Sequence, residues 1–195
     1  MAILKHISVK NRFYSSAVEY LTCQFDEYTN KPVLDEKGRI QERENYLIAG
    51  VNCDVDSFGA ECIEVNRLYG KNNSIKDVKA HHYIISFEPN DPITMEQALE
   101  FGKQWLSVFA PGHQAVVAVH PDGHNGSQNM HVHMVINSVR KYAGKQSRWH
   151  EKPCEWKLGC KYKSTGKMMF HAKKWVMEKC IRLGLGQVDL LAKKH

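Results

Sequence analysis

The chain has 195 residues, 43% of them hydrophobic and 25% charged, which excludes a disordered chain and suits one globular domain. No apolar run approaches the ~20 residues of a membrane helix, so no membrane insertion is expected. The formal charge is +6. It is uneven, because residues 140–195 hold 15 Lys+Arg against 4 Asp+Glu, leaving 12 against 17 in residues 1–139. A basic C-terminal third on a mildly acidic body suggests a surface for a polyanion, and its alternative is a solvated lysine-rich face. The N-terminus, Met1 to His6, carries no signal-peptide pattern. Six scattered cysteines fit free thiols in a reducing cytoplasm.

Taken in chain order, Ile3 to Val9 alternates as a strand does. Ser15-Ser16 is expected to cap a helix carrying Ala17, Val18, Tyr20 and Leu21. Residues 26–46 read as a long polar loop. A helix is expected from Asp54 or Asp56 to Leu68, stopped by Gly70. Tyr83 to Phe87 is β-rich and bounded by Pro89. Thr94-Met-Glu-Gln97 matches a capping box and opens a helix through Phe109. Two strands follow, Ala115–His120 and Met130–Val139, joined by turn-forming residues 121–129 and expected to pair antiparallel. Residues 140–167 are basic and irregular, and a last helix runs from about Met168 to Leu183. The order β-α-α-β-α-β-β-α predicts an α+β domain with a central antiparallel sheet covered by helices.

His131-Val132-His133 is the sharpest chemical signal. Residues two apart share a strand face, so both imidazoles point the same way and Val132 points into packing. If the two strands form a hairpin, His120 lies beside the pair. Three converging imidazoles make a divalent-metal site with open positions, as a catalytic metal requires. Asn137 falls on the same face. Spacing alone leaves open that these are surface histidines of a half-exposed strand.

The stretch HPDGHNGSQNMHVHMVINSV resembles the third motif of the mobilization relaxases, the MobA/VirD-like group of HUH endonucleases, of the type carried by Gram-positive elements. Ala17-Val-Glu-Tyr-Leu21 resembles the segment that carries the family's nucleophilic tyrosine. Ala49-Gly-Val-Asn-Cys53 resembles its "SGYNC" segment, and His82-Tyr-Ile-Ile-Ser-Phe87 its "YHLIQSF" strand. The resemblance covers about residues 1–139 in order. It implies an HUH palm-like fold over a single catalytic domain, residues 1–195, with 140–195 as a basic DNA-binding extension and C-terminal helix. It implies metal ligation by His120, His131 and His133, and Tyr20 as the nucleophile, with Tyr14 and Tyr28 the neighbouring alternatives. The link before His131 departs from the family in being longer and containing His124. The implied partners are single-stranded DNA at an origin of transfer, with an adjacent hairpin, an accessory relaxosome protein and the coupling machinery of type IV secretion, in a bacterial cytoplasm. Relaxases of this kind continue into a further region, so the chain is expected to be the N-terminal part of a longer protein.

The implied reaction is a transesterification in which a phenol attacks a phosphate and a 3′-hydroxyl leaves. A tyrosine of pKa ~10 needs help at neutral pH. The implied cofactor is one divalent ion, Mn²⁺ or Mg²⁺ with Zn²⁺ also permitted; imidazole ligands favour transition metals over Mg²⁺. His82 is the candidate for contacting the phosphate or activating Tyr20. Its alternative is a strand histidine satisfied by a backbone carbonyl, while His81 faces away. In the basic stretch, cations interleave with Tyr142, Trp149, Trp156 and Tyr162, a pattern that suits single-stranded nucleic acid. Arg140, Lys141, Lys145 and Arg148 are the expected DNA contacts. His150, Cys154, Cys160 and His171 fit no standard zinc spacing. Two other readings stand beside the relaxase. One is an HUH replication initiator or transposase, whose tyrosine would follow the HxH strand, where only Tyr142 and Tyr162 are available. The other is a non-catalytic DNA-binding module stabilised by its metal.

Overall fold

In a computed structural model, residues 3–10, 14–26, 29, 31–121, 129–186 and 189–192 are described, Ser15 and Pro153 by backbone alone. His124 and Tyr28 fall outside them. Five strands form one sheet. They are β1 (Ile3–Val9), β2 (Leu47–Val51), β3 (Ala80–Ser86), β4 (His113–His120) and β5 (His131–Arg140), in the spatial order β1-β3-β5-β4-β2. Every neighbouring pair is antiparallel. The α+β expectation with a central antiparallel sheet therefore holds, and the histidine-bearing β5 is the middle strand.

Helices α1 (Ser15–Thr22) and α2 (Phe58–Leu68) cover one face; α3 (Met95–Phe109) and α4 (Gly166–Arg182) cover the other. Both faces of β4 and β5 are thus buried, which is why these strands read as nearly continuous apolar runs between their histidines. Val132, Met134 and Ile136 join Trp105, Phe101 and Met168 in the larger core. Val135, Val116 and Ala118 meet Leu21, Phe58 and Cys62 in the smaller one. Gly102 lets α3 lie close against the reverse side of the histidine strands, since a Cβ there would sit 2.7 Å from Val132 Cγ1 and 2.8 Å from Val117 Cγ1.

The helix ends follow local chemistry. The capping box at α3 is formed, with Gln97 N–H donating to Thr94 Oγ1 and Thr94 N–H to Gln97 Oε1. Gly70 ends α2 at φ +60°. Ser15 does not cap α1, because the cap position is Tyr14 and no side chain bonds there. α2 begins at Phe58, after a turn in which Asp54 Oδ1 accepts the Asp56 N–H. β2 is a strand beyond those that the sequence pattern predicts. Isolated bridges tie the described part of the 26–46 loop to itself and to the end of α1, at Cys23↔Glu42, Phe25↔Pro32 and Leu34↔Ile40.

Candidate metal centre and tyrosine

β4 and β5 bring the three histidines together through register. His120 is the cross-strand partner of His131, and His133 lies two residues further along the same face. Their ring centroids are 4.7–5.3 Å apart, and one ring nitrogen from each lies within 4.8 Å of the other two. All three are buried.

Each imidazole is held by its other nitrogen. His120 Nε2 bonds the Leu21 carbonyl at 2.7 Å, and His131 Nδ1 bonds the Asn129 carbonyl at 2.9 Å. His133 Nδ1 meets His82 Nε2 at 2.8 Å. Among the described residues, His120 Nδ1 and His133 Nε2 are then left buried with no partner. An unsatisfied buried nitrogen costs about 1–3 kcal/mol, and two side by side fit a bound cation. Burial, followed by the nearby Arg43 charge, pushes His120 down to about 3. Burial and the neighbouring imidazoles hold His133 well below the usual histidine range. At neutral pH both are neutral and carry the lone pairs that metal ligation needs.

His82 reaches the site from β3, bonded to His133 and not to a backbone carbonyl. Burial pushes it down to about 4. If His133 offers Nε2 to a metal, its Nδ1 carries the proton and donates it to His82. His82 thereby fixes the tautomer and ring plane of a ligand. His81 lies on the other face, stacked on His6.

Helix α1 serves the site twice. Leu21, fully buried, gives its carbonyl to His120, and the preceding residue, Tyr20, faces the imidazoles. The Tyr20 ring lies 6.0 Å from His82 and 6.1 Å from His133, centroid to centroid. It stands on an open cleft of about 260 Å³ lined by Ile7, Val9, Ser16, Ala17, His82 and Val135. Tyr14 is different. It is 4% exposed, its hydroxyl donates to the Lys79 carbonyl and accepts from Asn66, and burial raises its phenol far above the ordinary value. It is a structural tyrosine of the small core. Tyr162 is buried against Tyr83 and His81 on the far face, and Tyr142 lies in the loop after β5.

The remaining sequence candidates scatter. Asn137 shares the histidine face but lies roughly 13 Å along β5 from His133 at ~3.3 Å per residue. There it is locked between Tyr14 and Gln114. Arg140, expected among the DNA contacts, is not at the surface of this fold. It is 2% exposed and its guanidinium is spent on the carbonyls of Pro111 and Glu155, so it braces the loop after β5. Lys141 pairs with Glu61 at 2.9 Å. Lys145 and Arg148 are exposed. Arg140 ends β5, roughly 30 Å along the strand from His131 at ~3.4 Å per residue, and Lys141 follows it directly. Neither the Leu21 carbonyl, a backbone group, nor Arg43, which approaches His120 from the segment before β2, has a signature in the sequence.

A family profile described as the nuclease domain of MobA/VirD2-like relaxases matches residues 28–161. The Rlx protein of Staphylococcus aureus is 36% identical over 104 residues, 53% of this chain and 30% of that protein. The group II intron-interrupted relaxase LtrB of Lactococcus lactis subsp. cremoris is 40% identical over 99 residues, 50% of this chain and 15% of that protein. A solved structure described as the molecular basis of vancomycin resistance transfer in Staphylococcus aureus matches 99% of this chain and 100% of its own. Its TM-score is 0.57 and its identity 14%, a likeness of fold. The chain thus spans well under half the length of these curated relatives, and Tyr20 lies upstream of the profile match.

Proposed function

The chain belongs to the MobA/VirD2-like relaxase family by its nuclease domain, and from that premise we propose that it nicks one strand of DNA at an origin of transfer and joins the cut 5′ phosphate to Tyr20. The observation that carries this reading is the convergence of the Tyr20 ring on His133 and His82, beside two buried imidazole nitrogens that have no partner among the described residues.

In the proposed step the Tyr20 oxygen attacks the scissile phosphorus and loses its proton. The bond to the 3′ oxygen breaks, and that oxygen leaves as a hydroxyl after gaining a proton. One phosphodiester replaces another, so the step is reversible and the strand can be rejoined. His120, His131 and His133 would hold one divalent ion, which when bound supplies Lewis-acid charge to the phosphate oxygens. Neutral imidazoles leave that charge undiluted, and imidazole ligation favours Mn²⁺ or Zn²⁺ over Mg²⁺. His82 acts through His133 as a positioning residue. α1 keeps the nucleophile and one ligand in fixed relation, because the Leu21 carbonyl and the Tyr20 ring move together. The exposed Lys145 and Arg148 belong to DNA flanking the cut. The accessory relaxosome protein and secretion coupling machinery expected from the family belong to the same proposal.

The test is incubation with single-stranded oligonucleotides from candidate transfer origins and Mn²⁺, read on a denaturing gel. A band shifted by the mass of the 3′ fragment is expected. It should vanish on chelation and in Tyr20→Phe. A chain that binds the oligonucleotides but never forms the adduct would favour the non-catalytic binding module.

A further inference from the structure

β1 is an edge strand, and one of its faces continues the face that carries the histidines. Register fixes this. Ile3 pairs with Ser86, which pairs with His131, and Lys5 pairs with Ile84, which pairs with His133. Directly opposed residues of an antiparallel pair share a face. Ile3 and Lys5 therefore stand in the rows of two ligands, two strands away, roughly 10 Å at ~4.8 Å per strand. Ile7 pairs with His82 and lines the cleft on which Tyr20 stands. The strip is open. Ile3 is 48% exposed and Ile7 38%, Lys5 is exposed, and Ile84 and Ser86, which lie between the strip and the ligands, are half-buried. Among the described residues no salt bridge engages Lys5. Its charge reaches His82, adding to burial in lowering that imidazole.

An exposed apolar strip that carries one cation and runs into the proposed nicking site suits a single strand of nucleic acid. The cation takes a phosphate, and the apolar side chains lie against sugars and bases. We infer that Ile3, Lys5 and Ile7 of β1 carry the stretch of substrate strand next to the scissile phosphate, with Lys5 holding one of its phosphates. The inference rests on the relaxase reading for where the scissile phosphate lies. A phosphate at the histidines leaves its neighbours within reach, since a strand covers roughly 10 Å in about three nucleotides at ~3.4 Å or more each. Lysine carries its ammonium on a flexible four-carbon stem and meets a phosphate as a point charge, so this contact holds the strand without reading its sequence. The rival role for Lys5 is to guard the edge of the sheet against pairing with another chain.

The test is binding of a fluorescently labelled single-stranded oligo(dT), in the presence of a chelator, followed by anisotropy over a salt series. Lys5→Gln should flatten the plot of log K against log salt by about 0.7, the share of one phosphate contact. Lys174→Gln is the control, an exposed lysine of α4 on the other face of the sheet, and it should leave the slope unchanged. Ile3→Glu sets a carboxylate on the strip and should weaken binding roughly tenfold by facing it toward a phosphate. Ile3 and Lys5 are both exposed, so the denaturation midpoint and the Mn²⁺ affinity should not move in either variant. A slope unchanged in Lys5→Gln, an equal fall in Lys174→Gln, or an affinity unchanged in Ile3→Glu overturns the inference. The covalent-adduct assay keeps the two readings apart. An adduct formed by the intact chain beside an unchanged slope in Lys5→Gln removes the strip and leaves the relaxase; a flattened slope without any adduct in the intact chain keeps the strip as a single-strand site and removes the relaxase reading.

Discussion

His82 and Tyr14 look equally plausible as reactive groups in a linear sequence, and the fold gives them different work. His82 bonds the nitrogen of His133 that faces away from the metal space. His82→Ala should therefore weaken metal binding by about 10–100-fold, the usual effect of removing such a partner, while leaving three ligands in place. Titration calorimetry with Mn²⁺ checks this, and unchanged affinity would return His82 to the role of packing. Tyr14→Phe removes a buried hydroxyl from Asn66 and the Lys79 carbonyl. It should cost about 1–3 kcal/mol in denaturant unfolding and leave adduct formation intact. His131-Val132-His133 was legible because strand alternation fixes its geometry. The bond to Leu21 O was not, since a backbone carbonyl has no sequence signature.

At the scale of elements, α3 was readable from its capping box and β5 from its histidines and apolar run, yet β2 was not. Its five residues, Leu47–Val51, are a short apolar run interrupted by Gly50, which periodicity alone does not assign to strand or helix, and the turn that ends it is decided by steric detail. A Cβ at Gly50 would lie 2.2 Å from the Cys53 carbonyl oxygen, and Asn52 adopts φ +59° with its amide on the His113 carbonyl. The Ala49–Cys53 resemblance thus marks a tight strand-ending turn. The reverse side of the histidine strands is equally constrained at Gly102. Gly102→Ala should overpack Val132 and Val117 and cost about 1–3 kcal/mol, read as a lowered denaturation midpoint. A neutral or stabilising effect would mean that α3 shifts freely away from the sheet.

Charge was the least faithful guide at the scale of the whole molecule. The basic third is real in the sequence, but Arg140 belongs to the interior and Lys141 to an ion pair with Glu61. Of the expected contacts, Lys145 and Arg148 are exposed. Replacing both with alanine should flatten the plot of log K against log salt by about 1.4 for single-stranded DNA, at ~0.7 per phosphate contact. An unchanged slope would assign these cations to solvent. Arg140→Ala should instead destabilise the fold by about 2–5 kcal/mol, as loss of a large buried side chain does.

Buried histidines also set a pH dependence for the metal-free protein. Burial, then the charges of His6 and Lys161, pushes His81 down to about 3, and burial followed by Arg140 does the same to His113. In the unfolded chain both titrate near 6.5. Below that value the unfolded state binds more protons than the folded one, so stability is full above pH ~6.5 and falls as the pH drops toward ~3. Denaturant melts across that window should show the decline, and a flat profile would contradict the neutral buried imidazoles.

The central claim joins one residue to one reaction, and peptide mapping of the trapped covalent adduct by mass spectrometry tests it most directly. The expected modified peptide contains Ala17–Cys23, with the nucleotide mass on Tyr20. An adduct carried by any other tyrosine, or one that still forms in Tyr20→Phe, would contradict the assignment.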